Sequence, residues 1–219
     1  MTFDFMDFTN FQLNMYSELK QTLEKFQSNF SKITSERKEL LNRFSDIISN
    51  QLKSKQKVDL VFICVHNSRR SHLSQFWAQA AAEFYGIKNV VCYSGGTEVT
   101  AVYPSIISTV KTQGFLVETI AQTSNPIYAV KYDESKHPII GFSKTYDDAF
   151  NPQSGFVAVM VCSSADTNCP FIPNAEQRIS VTFYDPKEFD GTTNEQSGYL
   201  ERSELIGTEI LYAFSQIKL

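Results

Sequence analysis

The residues whose chemistry is easiest to interpret lie in the sequence CVHNSRRS, which begins at Cys64 and ends at Ser71. A cysteine thiolate is a strong nucleophile, and an arginine guanidinium can hold two oxygens of a tetrahedral oxyanion through parallel hydrogen bonds. Five residues separate Cys64 from Arg70, so a loop of this length can return the guanidinium to the cysteine. The spacing predicts nucleophilic attack by Cys64 on an oxyanion held by Arg70.

The predicted elements around this loop are those that an anion site requires. Residues 59–64 have the continuous apolar pattern of a buried strand, and residues 71–85 form an alanine-rich helical segment. Backbone N–H groups bind anions at the start of a helix and in a tight loop. We therefore predict oxyanion contacts from His66, Asn67, Ser68, Arg69, Arg70 and Ser71. The alternative is that Cys64 is an ordinary buried strand residue and that the arginines are surface charges.

The rest of the chain predicts a sheet that carries this loop at its edge. Further strands are expected at residues 89–94, 156–162 and 178–183, and further helices at residues 103–113 and 197–216. Strands that alternate with helices predict an α/β fold with a central parallel sheet of about four strands flanked by helices. Ligands bind such sheets at the carboxyl ends of the strands, where Cys64 lies. Turn signals in residues 122–152 predict long loops with room for a short strand.

Residues 1–57 differ from the α/β segment and predict a helical extension. Residues 8–56 contain two stretches with apolar residues three or four apart, which is typical of amphipathic helices. We expect a helical hairpin, followed by one domain over residues 58–219. Two isolated helices of this length are marginal, so their apolar faces need a partner surface. That surface is either the catalytic domain or a second copy of the chain, and we hypothesise a homodimer through these helices.

Composition excludes several classes of protein. The 219 residues are 42% hydrophobic, with a net charge of −4, which gives no basic surface for nucleic acid. We expect no membrane association, because the apolar runs are too short to span a bilayer, and a cytoplasmic location, because no leader sequence is visible. In that compartment four cysteines are better candidates for catalysis, redox chemistry or core packing than for structural disulfides.

The loop sequence resembles that of the low-molecular-weight protein tyrosine phosphatase superfamily, which includes the thioredoxin-coupled arsenate reductases. Asn67 and Ser71 match the family's loop-bracing asparagine and the serine that hydrogen-bonds the nucleophile. The sequence YSGGT at residues 93–97 is similar to the family's Ser-Ala-Gly-Thr segment, with Gly95 in place of alanine. Asp185, followed by proline, resembles the family's general acid. The resemblance covers residues 58–218 and implies a phosphotyrosine phosphatase I-like fold.

Two further cysteines distinguish the branches of this superfamily. Cys162 and Cys169 are seven positions apart, and arsenate reductases carry a cysteine pair at this spacing. The resemblance implies a relay in which Cys162 attacks Cys64, Cys169 then attacks Cys162, and thioredoxin reduces the last disulfide. The alternative is that both are incidental. Cys92 lies in a predicted strand and is expected to be a core residue.

We therefore expect a thiol-dependent arsenate reductase that acts on arsenate or phosphate oxyanions. The first alternative is a protein tyrosine phosphatase that works through a phosphocysteine, and the second is a non-catalytic oxyanion or phosphoprotein binding module. No cofactor and no metal are expected. Reductases of this type have an acidic residue that helps to hold potassium, but Gln75 occupies that position here. His66 and Arg69 also depart from the family, and residues 127–152 are longer than in the compact reductases.

Overall fold

A computed structural model of the chain describes residues 14–168 and 171–219. Its helices and strands, in chain order, are α1 (Ser17–Ser28), α2 (Ser35–Lys55), β1 (Val58–Cys64), α3 (Arg70–Phe84), β2 (Val90–Gly96), α4 (Pro104–Thr112), β3 (Leu116–Ala121), β4 (Ile127–Lys131), β5 (Ile139–Gly141), β6 (Phe156–Met160), α5 (Ser163–Asn168), β7 (Ala175–Ser180) and α6 (Glu195–Ser215). Two short 3-10 turns add Phe30–Lys32 and Pro186–Phe189.

The central sheet is parallel and has the strand order β2-β1-β6-β7. Six of the seven residues of β1 are buried, because a parallel strand inside such a sheet is covered on both faces. The helix α3 packs on β1 and β2, and α6 packs on α3. The predicted α/β fold with a four-stranded parallel sheet is confirmed.

A second sheet, which is antiparallel, occupies the segment where long loops were predicted. Its order is β3-β4-β5, and β3 lies before the segment in which a short strand was expected. Only Val117 of β3 is buried, so this edge strand has no alternating apolar pattern that would reveal it in the sequence. The expectation of loops was therefore incomplete.

Both N-terminal helices pack against α6 and contact each other little. The apolar face of α1 is buried through Leu19, Leu23 and Phe26. The centre of the Phe26 ring lies 4.9 Å from that of the Trp77 ring in α3. The apolar face of α2 is buried through Leu41, Phe44 and Ile48. The apolar faces are thus covered by the chain itself, which removes the reason for the homodimer hypothesis. The predicted helical residues 8–13 lie outside the described part.

Over the described ranges, no helix combines the length and the apolar character that a membrane crossing requires.

Candidate active site

Cys64 is the last residue of β1 and lies at the carboxyl edge of the parallel sheet, almost fully buried. Its Sγ is 3.1 Å from the Ser71 Oγ, in the first turn of α3. The Asn67 Nδ2 donates a hydrogen bond of 2.8 Å to that same Oγ. Because the Asn67 amide donates to the Ser71 Oγ, the Ser71 hydroxyl hydrogen is free to point at the Cys64 sulfur.

Asn67 braces the loop from its centre. Its φ of 43° lies in the left-handed region, which asparagine tolerates better than most residues. The Lys144 backbone N–H donates to the Asn67 Oδ1 at 2.9 Å, and the His72 Nε2 lies 3.0 Å from the Asn67 carbonyl oxygen. Burial, aided by the charge of Lys144, lowers the pKa of His72 to about 3, so the imidazole is neutral. A carbonyl only accepts, so the Nε2 carries the hydrogen.

The segment that contains Lys144 was not identified from the sequence as part of the site. It pairs with the end of β2, where the Gly96 N–H donates to the Lys144 carbonyl and the Tyr146 N–H donates to the Gly96 carbonyl, both at 2.9 Å. A Cβ at Gly95 would overlap the Tyr146 backbone. The replacement of the family's alanine by Gly95 therefore has a local cause, since this pairing leaves no room for a side chain.

A second glycine brings β2 close to the loop of residues 64–71, which we call the anion loop. A Cβ at Gly96 would lie 2.5 Å from the Val65 carbonyl oxygen and 2.8 Å from the Asn67 nitrogen. The Thr97 N–H donates to the Val65 carbonyl at 2.8 Å. The sequence YSGGT is thus the surface on which the loop rests.

A small cleft opens above Cys64 and is lined by Cys64, Val65, His66, Ser68, Arg69, Arg70 and Asp185. The Arg70 Nη1 donates to the Phe183 carbonyl at 3.0 Å, and its Nη2 donates to the Asp185 Oδ2 at 2.5 Å. The Lys187 N–H donates to the Asp185 Oδ1 at 3.1 Å, so the carboxylate caps the turn Pro186–Phe189. The structure therefore brings Cys64, Arg70 and Asp185 together, although about 120 residues separate the first from the last.

His66 and Arg69 have side chains that are engaged beside the cleft. The His66 imidazole is 3.4 Å from the Glu98 carboxylate, and its backbone carbonyl accepts from the Ser143 and Thr100 hydroxyls at 3.0 Å. The Arg69 guanidinium binds Asp190 and donates to the Tyr199 hydroxyl. The predicted oxyanion contacts of these two residues can therefore come from their backbone N–H groups but not from an unpaired side chain.

Cys162 lies at the same edge of the sheet as Cys64. It follows β6, which pairs with β1, and the Val161 N–H donates to the Ile63 carbonyl at 2.9 Å. The thiol is fully buried, and the Ala165 N–H donates to its Sγ at 3.3 Å. Burial raises the pKa of Cys162, against the nearby charge of Arg70, and the neighbouring Cys64 raises it further. Cys169 lies outside the described residues.

Cys92 stands apart from this group. It lies within β2 and is buried, and burial raises the pKa of its thiol well above the ordinary range. Its carbonyl accepts from the Gln75 side chain at 3.0 Å. This environment is that of a packed core cysteine.

Gln75 is buried, and its side-chain Oε1 has no hydrogen-bond partner among the described residues. Position 75 supplies a neutral amide where the reductases have a carboxylate, and the buried Lys144 ammonium acts on the neighbouring His72. Burial lowers the pKa of Lys144 to about 8, yet at neutral pH the amine is still largely charged.

This geometry is the one that the sequence predicted for a cysteine-dependent oxyanion site, and comparison with known proteins shows the family of the chain. The sequence-family model for low molecular weight phosphotyrosine protein phosphatase matches residues 59–134. Arsenate reductase 2 of Staphylococcus epidermidis is 32% identical over 130 residues, which are 59% of this chain and 79% of the relative. The chain therefore belongs to the low-molecular-weight protein tyrosine phosphatase superfamily and lies near its arsenate reductases. It is an enzyme of that family.

Solved structures of the same superfamily resemble the chain more distantly. A low molecular weight protein tyrosine phosphatase from T. tengcongensis is 13% identical, with a TM-score of 0.48, and the match covers 74% of this chain and all of that one. The arsenate reductase from Archaeoglobus fulgidus is 20% identical, with a TM-score of 0.41, covering 68% of this chain and 98% of that one.

Proposed function

We propose that the protein is a thiol-dependent arsenate reductase in which Cys64 is the nucleophile and Cys162 resolves the covalent intermediate. The observation that carries this proposal is the position of Cys162. A second thiol lies buried at the carboxyl end of the strand next to β1, close enough to Cys64 for Cys64 to raise its pKa. A phosphatase has no use for a thiol at this place.

The first step is an attack on the oxyanion. The Cys64 thiolate forms a bond to the arsenic of arsenate, while Arg70 and the N–H groups of the loop hold the remaining oxygens. Asp185, in its protonated form, gives its proton to the oxygen that leaves as water. Arg70 must turn from Asp185 to the oxyanion for this step, which releases the Asp185 carboxylate from its ion pair.

The second step reduces the arsenic. The Cys162 thiolate attacks the Cys64 sulfur, a Cys64–Cys162 disulfide forms, and the electron pair of the broken sulfur–arsenic bond stays on arsenic, which leaves as arsenite. The two electrons gained by arsenic are those lost by the two sulfurs. Cys169 then attacks Cys162 and frees the Cys64 thiolate, and an external dithiol such as thioredoxin reduces Cys162–Cys169.

This relay requires α5 to unwind. α5 fills the six positions between Cys162 and Cys169, and a helix of six residues is roughly 9 Å long, whereas disulfide-bonded Cα atoms lie within about 7 Å of each other. α5 is held to β7 by Asp166, whose carboxylate binds Arg178 and Ser180. Loss of these side-chain contacts accompanies the transfer of the disulfide to Cys169.

The alternative function is phosphomonoester hydrolysis. It needs only Cys64, Arg70 and Asp185, which the cleft brings together, with water attacking the phosphocysteine in the second step. Both activities share the first step, so the second cysteine decides between them.

The test measures arsenate-dependent NADPH consumption with thioredoxin and thioredoxin reductase, beside aryl phosphate hydrolysis. We expect Cys169→Ser to stop after about one turnover with arsenate and to accumulate a Cys64–Cys162 disulfide, which peptide mapping by mass spectrometry detects. Cys92→Ser is the matched control, because Cys92 is buried but outside the cleft. Normal arsenate turnover by Cys169→Ser, or no disulfide in the wild type, would leave the phosphatase as the function.

A further inference from the structure

Two consecutive arginines of the anion loop bind two aspartates of a single segment. Arg70 binds Asp185, and Arg69 binds Asp190, at the two ends of the short turn Pro186–Phe189. The proposed general acid is therefore joined to the loop at two points. Only one of these points, the Arg70 contact, has to open when an oxyanion enters the cleft.

The Arg69 contact is built as a closed ring of hydrogen bonds. The Arg69 Nε donates to the Tyr199 hydroxyl at 2.7 Å, the Tyr199 hydroxyl donates to the Asp190 Oδ1 at 2.6 Å, and the Arg69 Nη2 binds the Asp190 Oδ2. Tyr199 is fully buried on α6, and burial followed by the Asp190 contact raises the pKa of its hydroxyl, so it remains a neutral donor.

Aromatic rings hold the guanidinium in place. Its Cζ lies 4.1 Å from the centre of the Tyr103 ring, and the Tyr103 ring stacks on that of Tyr199 at 5.5 Å. The Arg69 side chain is only 12% exposed. An oriented, largely desolvated ion pair resists opening far better than a solvated surface pair, whose contribution is small.

The ion pair between Arg70 and Asp185 has a more exposed carboxylate than the ion pair between Arg69 and Asp190. The Asp185 side chain is 38% exposed, and its remaining hydrogen bond comes from the Lys187 N–H of its own turn. When Arg70 turns to an oxyanion, nothing in this pair keeps Asp185 over the cleft. The position of the acid then depends on the rest of its segment.

We propose that Arg69 is a positioning residue which, through Asp190 and Tyr199, keeps Asp185 at the cleft after the oxyanion has taken Arg70. The inference rests on the proposed catalytic roles of Cys64 and Asp185. Arg69 contacts the segment that carries the acid and does not itself touch the reacting atoms. Its contact with Asp190, 121 positions away in the sequence, couples the anion site to the segment that carries the acid.

The first test uses aryl phosphates with leaving groups of different acidity. In Asp190→Leu, kcat for a poor leaving group should fall by about 10²-fold, as displacement of a catalytic group by an ångström costs, while a very acidic leaving group should be little affected. Arg69→Met should show the same selective loss, and the Arg69→Met/Asp190→Leu double variant should be no worse than either single variant. Equal losses for all leaving groups, or additive losses, would contradict the proposal.

The matched control is Glu188→Gln. Glu188 lies in the same turn and binds Arg202 at the surface, so this variant removes one carboxylate from the segment without touching the Asp190 contact. Its kcat should stay at the wild-type value for every leaving group. A loss like that of Asp190→Leu would show that the segment's charge, rather than the Arg69 contact, matters.

The second test does not depend on turnover. Amide hydrogen exchange over residues 183–190 is measured with and without tungstate, an oxyanion that occupies the cleft without reacting. The wild-type segment should stay protected in both states, whereas the Asp190→Leu segment should lose protection only when tungstate is bound. Unchanged protection in Asp190→Leu with tungstate would overturn the proposal. An absence of arsenate turnover in the wild type would instead contradict the proposed function and leave this measurement valid.

Discussion

Asp185 presents one carboxylate oxygen to Arg70 and the other to the Lys187 N–H. Asp185→Asn removes the proton that a poor leaving group needs, so kcat for such an aryl phosphate should fall by on the order of 10²–10⁴. Aryl phosphates with very acidic leaving groups should lose much less. A plot of log kcat against leaving-group pKa measures this, and parallel plots for variant and wild type would exclude Asp185 as the acid.

Burial of Cys162 gives its reaction a pH dependence. Because burial raises the pKa of this thiol, its thiolate fraction at neutral pH is smaller than that of an ordinary cysteine, whose pKa is about 8.5. The thiolate is the attacking species, so disulfide formation should accelerate as the pH rises towards and beyond that value. Single-turnover arsenate reactions, quenched at several pH values and mapped by mass spectrometry, measure this rate. A rate that is flat from pH 6 to about 9 would exclude Cys162 as the slow resolving thiol.

At the residue scale, a site residue could be predicted from local patterns only when it lies close in sequence to Cys64. Cys64, Arg70 and Ser71 follow from local spacing, and Asp185 and Cys162 follow from the family resemblance. The brace from Lys144 to Asn67 spans 77 residues, and the Arg69–Asp190 contact spans 121. No local pattern marks such partners, because each is an ordinary charged or polar residue until the fold brings it to the loop.

At the scale of elements, the end of β2 is the place where one added methyl group should matter most. Gly95→Ala pushes a Cβ into the Tyr146 backbone, which cannot turn aside as a flexible side chain would. We expect a loss of roughly 1–3 kcal/mol in the free energy of unfolding, together with lower activity, because the displaced segment also braces Asn67. Denaturant unfolding and aryl phosphate hydrolysis measure the two effects.

Gly86→Ala is the control for this prediction. Gly86 has a φ of 65° and open space around its Cα, so an alanine there costs about 1–2 kcal/mol through backbone strain alone. It should lose stability while keeping its activity. If Gly95→Ala also kept full activity, the brace would be dispensable.

Strands could be predicted from the sequence where nearly all their residues are buried, and they were missed where most residues are exposed. β1 and β6 are nearly or fully buried, so their unbroken apolar runs reveal them. β3 exposes most of its residues and is held by pairing with β4, a contact that leaves little trace in composition. The parallel sheet could therefore be predicted, and the edge strand β3 of the antiparallel sheet could not.

At the scale of the whole molecule, we propose that the N-terminal extension is part of the folding unit rather than a separate domain. Six large apolar side chains of α1 and α2 are buried against the rest of the chain. Burial of each contributes about 1.5–3 kcal/mol, so together they contribute a free energy comparable to the usual stability of a domain, which is about 5–15 kcal/mol.

Deletion of residues 1–56 tests this proposal. The truncated chain should lose cooperative unfolding and should aggregate, because the surfaces of α6 and β1 that α2 covers become exposed. Circular dichroism during denaturation and light scattering measure these properties. A truncated chain that is monomeric and unfolds cooperatively would show an independent domain. Light scattering of the full chain also tests the homodimer prediction, which has lost its reason because the apolar faces of α1 and α2 are buried within the chain.

The hydrogen bond between Lys144 and Asn67 affects the order in which parts of the protein fold. The segment that carries Lys144 docks on the end of β2 through hydrogen bonds to Gly96, so its position requires the edge of the parallel sheet to be in place. Asn67 holds an unfavourable φ that its partners maintain, so the loop is fixed only after the segment around Lys144 has docked on β2. Refolding chains should therefore pass through a state with the parallel sheet assembled and no competent anion loop, and regain of activity should lag behind regain of secondary structure.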